Sequence, residues 1–147
     1  MKLRTGEPWM TAEQYGRSLR GFTVNLLVRE IDKALVFQRE VLKADVLYSD
    51  ADFAALKGYG AEWMLHADHT YGGEHPMTKA LAGILTRGVG VELRLQGCDP
   101  EAAEQAARRL GFAVMANTSN KPHGLREAYL QDADGYIWVP GVPIQFS

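Results

Sequence analysis

The sequence predicts an α+β protein built from two successive βαβββ modules, and three observations support this. A strand, a helix and further strands occur once before and once after the segment from Tyr71 to Gly88. The helices carry end signals, and the strands alternate apolar with polar residues. A repeat of about 50 residues is too long for a solenoid unit and too short to bury a good core alone, so two copies are expected to pack together.

The first copy opens with the strand GFTVNLLV (21–28), continues with a helix from Asp32 to Lys43, and ends in AEWMLHA (61–67). Ala34, Phe37 and Val41 recur at helical spacing, with Leu35 and Leu42 beside them, as a stripe facing a sheet. The second copy opens with GVELRLQ (90–96), and its helix spans Asp99 to Leu110. Asp99 precedes Pro100 as an N-cap ahead of a first-turn proline, and Gly111 suits a left-handed C-cap. FAVMA (112–116), LREAYLQ (125–131) and YIWV (136–139) complete this copy. Residues 1–20 form an extension with Trp9, Met10 and Tyr15, and its Thr11 and Gln14 have the spacing of a helix capping box. The expected organisation is an extension (1–20), a first module (21–67), a connecting loop with one short helix (68–88), a second module (89–140) and a tail (141–147).

Length and composition narrow the function. At 147 residues, two independent domains are not expected. A net charge of -2 without a basic stripe argues against nucleic acid as a partner. No segment approaches the roughly 20 apolar residues of a membrane span, so no membrane partner is expected. The lone Cys98 excludes an internal disulfide, and the first residues lack the apolar run of a signal peptide, so a cytoplasmic protein is expected.

Alternation sorts the strand side chains into two rows. Val24, Leu26, Val28, Trp63 and Leu65 form a helix-facing row, with Thr23, Asn25, Leu27, Glu62, Met64 and His66 opposite. In the second copy Val91, Leu93 and Leu95 oppose Glu92, Arg94 and Gln96. The polar rows read either as solvated outer faces or as the concave wall of a ligand site, and alternation alone favours the former.

A resemblance favours the latter. The doubled plan, with Val28 to Asp32 entering the first helix, His123 to Glu127, and Asp132 to Trp138 as a closing hairpin, resembles the vicinal oxygen chelate superfamily. That superfamily includes glyoxalase I, fosfomycin and bleomycin resistance proteins and extradiol dioxygenases. The resemblance covers residues 20–140 and implies curved mixed sheets with helices on their outer face. Gln38, Lys43 and Ala133 stand where tyrosine, glycine and proline are usual. In metal-dependent members the ligands fall at positions matching Thr23, Glu92, Val139 and a residue among Met64 to His66. Thr23 and Val139 offer neither imidazole nor carboxylate, so no metal and no cofactor are expected.

Other candidates have plain readings beside the functional ones. His66, Asp68, His69, Glu74 and His75 could suggest zinc, yet all but His66 lie in a glycine-rich loop. Trp63, Trp138 and Cys98 read as core residues. His123 is either a general base or a merely exposed loop histidine. Arg94 either pairs with Glu92 or holds an anion. The resulting expectation is a homodimer with an interface of at least standard size, on the order of 1,600 Å² or more, that binds a small organic molecule through Thr23, Asn25, Glu62, Met64, His66, Glu92 and Arg94. No catalytic residue is assigned. The alternatives are a metal-dependent lyase, isomerase or dioxygenase that keeps His66 and Glu92 as ligands, and a structural role without ligand.

Overall fold

The computed structural model describes residues 1–145, so the end of the expected tail, residues 146–147, lies outside the described residues. Two four-stranded mixed sheets repeat one plan. In the first, β1 (Asn25–Val28), β2 (Asp45–Ser49), β3 (Phe53–Gly58) and β4 (Ala61–Ala67) lie in the order β1-β4-β3-β2. In the second, β5 (Glu92–Gln96), β6 (Ala113–Asn120), β7 (Leu125–Gln131) and β8 (Ile137–Pro143) lie in the order β5-β8-β7-β6. The first and last strands of each copy run parallel, while the remaining pairs are antiparallel hairpins. A parallel pair needs a long crossover, and the helix after each first strand supplies part of it. The two βαβββ modules are therefore present as the repeat implies.

By contacts the chain forms two compact units. One comprises Met1–Asp32 with Ala44–Ala82, and the other Lys33–Lys43 with the chain from Gly83 onward. In the first unit, β1 is shorter than the 21–28 run, although pairing already begins where the Met64 N–H donates to the Val24 carbonyl at 3.0 Å. Leu26, Val28, Trp63 and Leu65 are buried, as their row predicts. Leu27 and Met64 on the opposite row are buried too. The reason is cover from the same chain: α3 (Pro76–Leu81) brings Thr78 and Leu81 to a cleft with Leu27, and α1 (Ala12–Ser18) lies beside Met64. The Thr11–Gln14 capping box forms in both directions, at 3.0 and 2.8 Å.

In the second unit, α4 (Pro100–Leu110) starts at Asp99, whose carboxylate accepts the Glu101 and Ala102 N–H groups, and ends at Gly111 with φ +82. It buries Ala103, Ala106 and Ala107. The first repeat's helix, α2 (Ile31–Val36), runs into a π-helical turn at Phe37–Val41, closed by the Leu42 N–H on the Phe37 carbonyl at 3.1 Å. Its apolar stripe does meet a sheet, but that of the second unit: Phe37 packs edge-on against Phe112 at 5.0 Å and beside Trp138 at 6.5 Å. Lys43 follows at φ +56, in the left-handed region that favours glycine. Cys98 is buried with its thiol on the Leu42 carbonyl, so it packs as expected.

The closing hairpin has the local chemistry its sequence implies. Asp132 Oδ1 accepts the Asp134 and Tyr136 N–H groups, and Oδ2 accepts the Trp138 indole N–H at 2.9 Å. Gly135 sits at φ +97, where a Cβ would lie 2.6 Å from the Arg87 nitrogen, so glycine is required there.

Candidate functional site

The expected polar face of the first sheet becomes one wall of a cavity of about 330 Å³. The other wall is the N-terminal extension. Met64 and His66 of β4, Phe53 of β3 and Tyr48 of β2 face Trp9, Met10 and Tyr15. Trp9 lies parallel to Tyr48, with ring centroids 5.5 Å apart and an interplanar angle of 2°, while Tyr15 meets Phe53 edge-on at 5.2 Å. These are favourable aromatic geometries and give the site flat apolar walls. Burial, followed by the nearby charge of Glu62, raises the Tyr15 phenol above its usual range.

At the inner end, His66 Nδ1 lies 2.6 Å from Asn25 Oδ1, and the Asn25 amide donates to the Tyr71 hydroxyl at 2.7 Å. Since the amide nitrogen serves Tyr71, Asn25 Oδ1 is the acceptor and His66 carries its proton on Nδ1. Burial and then the charge of Lys2 lower the His66 pKa, against an opposing pull from Asp50, so the imidazole is neutral at physiological pH.

A buried carboxylate fastens the extension. Asp52 has a fully buried side chain and accepts the Leu3 N–H at 2.7 Å, the Arg4 N–H at 3.1 Å and His69 Nε2 at 2.7 Å. Burial alone would raise its pKa, but the bonds from His69, Leu3 and Arg4 outweigh that and hold it at about 2. Asp50 forms the adjacent turn, its carboxylate taking the Tyr48 hydroxyl and the Asp52 and Phe53 N–H groups.

The second sheet carries a separate polar cluster. Glu127, fully buried, accepts a hydrogen bond from Arg94 Nη2 and lies 2.8 Å from His123 Nε2. Arg94 also reaches Glu92 at 3.5 Å. Hydrogen bonding to Glu92, then burial, raises the Tyr129 phenol pKa. Gly141 makes the space, since a Cβ there would lie 3.2 Å from the Glu127 Cγ.

The predicted residues therefore divide. Met64 and His66 line the cavity, Asn25 orients His66, and the charge of Glu62 reaches Tyr15. Thr23 is exposed ahead of β1. Glu92 and Arg94 belong to the second sheet, where Arg94 has carboxylate partners. His123 is not a lone loop histidine but a partner of Glu127. In the glycine-rich loop, His69 serves Asp52, His75 caps α3 and lies tilted against Tyr71, and Glu74 meets Lys79. Sequence reasoning missed Asp52 and Glu127, and it left the extension unplaced, although the aromatics of that extension were a visible signal.

Two of the positions that bind metal in some members of the resembling superfamily carry no imidazole or carboxylate for an ion. Val139 is a fully buried hydrocarbon and Thr23 has only a hydroxyl, whereas Glu92 keeps a carboxylate and His66 an imidazole held through one nitrogen by Asn25. Among the described residues no three His, Cys, Asp or Glu side chains are grouped to hold a metal ion, and no helix is long and apolar enough to cross a membrane.

No protein-family model matches the chain, and no curated protein matches it in sequence. Solved structures do match in fold. A glyoxalase-related enzyme from Fulvimarina pelagi superposes with a TM-score of 0.65 at 13% identity, over 84% of this chain and 87% of that one. A glyoxalase/bleomycin resistance protein/dioxygenase family enzyme from Burkholderia phytofirmans PsJN gives 0.64 at 16% identity, over 83% and 97%. The fosfomycin resistance protein FosX from Listeria monocytogenes gives 0.62 at 14% identity, over 86% and 95%. With the doubled sheet order already established, these likenesses show that the chain has the fold of the vicinal oxygen chelate superfamily.

Proposed function

We propose that this protein binds a small organic molecule, without a metal ion, in the cavity between the first sheet and the N-terminal extension. The observation that carries this reading is the aromatic enclosure formed by Trp9, Tyr15, Tyr48 and Phe53 around a space of about 330 Å³. That volume falls at the low end of the roughly 300–1,000 Å³ typical of small-molecule sites, which are mostly apolar with a few placed polar groups. Here His66 is the placed polar group. The test is a panel of small aromatic compounds titrated against the untagged protein and its variants by calorimetry, and in wild type also by quenching of Trp9, which is 41% exposed while Trp63 and Trp138 are buried. Binding that disappears in Trp9→Ala and Phe53→Leu supports the reading. Binding that survives both places the ligand elsewhere and refutes it.

We also propose a homodimer, supported by a run of exposed apolar side chains in the second unit: Ile84, Leu85, Val89 and Val91. Sedimentation showing only monomer at micromolar concentration refutes it.

A further inference from the structure

The charges around the cavity are unequally engaged, and this bears on the class of ligand. Besides the tyrosines, its lining carries Lys2, Arg4, Asp50 and His66. Asp50 accepts three hydrogen bonds from neutral donors, which hold its carboxylate in its own turn while its charge remains. Arg4 faces the Asp52 carboxylate at 3.7 Å. Lys2 has neither an ion pair nor a hydrogen bond among the described residues, and its charge is felt at His66. The cavity thus presents flat aromatic walls and one ammonium that no carboxylate pairs among the described residues.

His66 adds a second point of recognition. With its proton on Nδ1 shared with Asn25, the neutral ring leaves Nε2 as an acceptor, and no partner engages it among the described residues. An acceptor here suits a ligand hydroxyl and repels a carboxylate placed directly on it. The ligand's anion is therefore assigned to Lys2.

We infer that the cavity selects a planar aromatic carboxylate, its ring lying along Trp9 and Tyr48 and its carboxylate paired with Lys2. This rests on the proposed binding function and names the ligand class for the same site. A neutral aromatic of equal shape gains the same ring contacts but leaves the ammonium to water. A cationic one is opposed by it.

The experiment compares 2-naphthoate with 2-naphthamide, which match in shape and differ in charge, by Trp9 quenching in wild type and in Lys2→Met. Any affinity tag is placed at the C-terminus. Naphthoate is expected to bind about tenfold tighter than naphthamide in wild type, consistent with one partly exposed charge-assisted contact. In Lys2→Met that preference should vanish while naphthamide binding is unchanged. If naphthamide binds as well as naphthoate in wild type, or if the preference survives Lys2→Met, the inference is overturned and the cavity reading stands. If neither compound quenches Trp9, both the inference and the binding site proposed above are refuted.

Discussion

Asp52 is the single residue on which the N-terminal wall of the cavity depends most, and Asp52→Ala is the most informative perturbation. Its carboxylate is fully buried and takes two backbone N–H groups of the extension as well as the His69 ring. Hydrogen bonds to a charged group contribute about 1.5–3 kcal/mol each, and such neighbouring bonds are not additive. Breaking a buried pair typically costs about 3–5 kcal/mol. Here the freed Leu3 and Arg4 groups can reach water once the extension lifts, so the low end, about 3 kcal/mol, is expected. At ~2–4 °C per kcal/mol for a chain of this size, Tm should fall by roughly 6–12 °C. Asp52→Asn, which keeps one acceptor oxygen but no charge, should fall between. Trp9 emission should shift to the red as the ring leaves Tyr48, and ligand quenching should weaken even where the sheet remains folded. The pH dependence follows the same sign: with the folded pKa depressed to about 2 from 3.8, this contribution is present above about pH 4 and lost as pH falls toward 2. Melts of Asp52→Ala that coincide with wild type at neutral pH, with unchanged Trp9 emission, would refute the account of how the extension is held.

Two further predictions concern the second unit. Glu127→Ala leaves Arg94 and His123 without their buried carboxylate and should cost about 3–5 kcal/mol in denaturant melts, whereas Glu127→Gln, which preserves shape and one acceptor, should cost less; equal and negligible losses would count against the cluster. Burial raises the Asp132 pKa to about 6, only partly offset by its hydrogen bonds from Trp138, Tyr136 and Asp134. Because the folded value lies above the unfolded one, stability should decline by on the order of 3 kcal/mol as pH rises from about 4 to 6, and Asp132→Asn should flatten that slope; an unchanged slope in the variant rejects the assignment.

What the sequence determined by itself is local and periodic. The repeat, the Asp99–Pro100 start and Gly111 stop of α4, the capping box at Thr11 and Gln14, and the Asp132–Gly135 hairpin rest on interactions within a few residues. Period-two alternation likewise placed Met64 and His66 on the row that lines the cavity and Trp63 and Trp138 in the core. Tertiary structure decided everything that joins distant residues. Alternation cannot say what covers a face, so the row holding Leu27 and Met64 read as polar although α3 and the extension cover it. The helical stripe of Phe37 announced a sheet partner but not which sheet, and it packs beside Trp138. Asp52 and Glu127 look like ordinary surface acids in the sequence. Their burial depends on donors 33 to 49 residues away, Arg94 and Leu3, and no local pattern encodes a pairing over that separation.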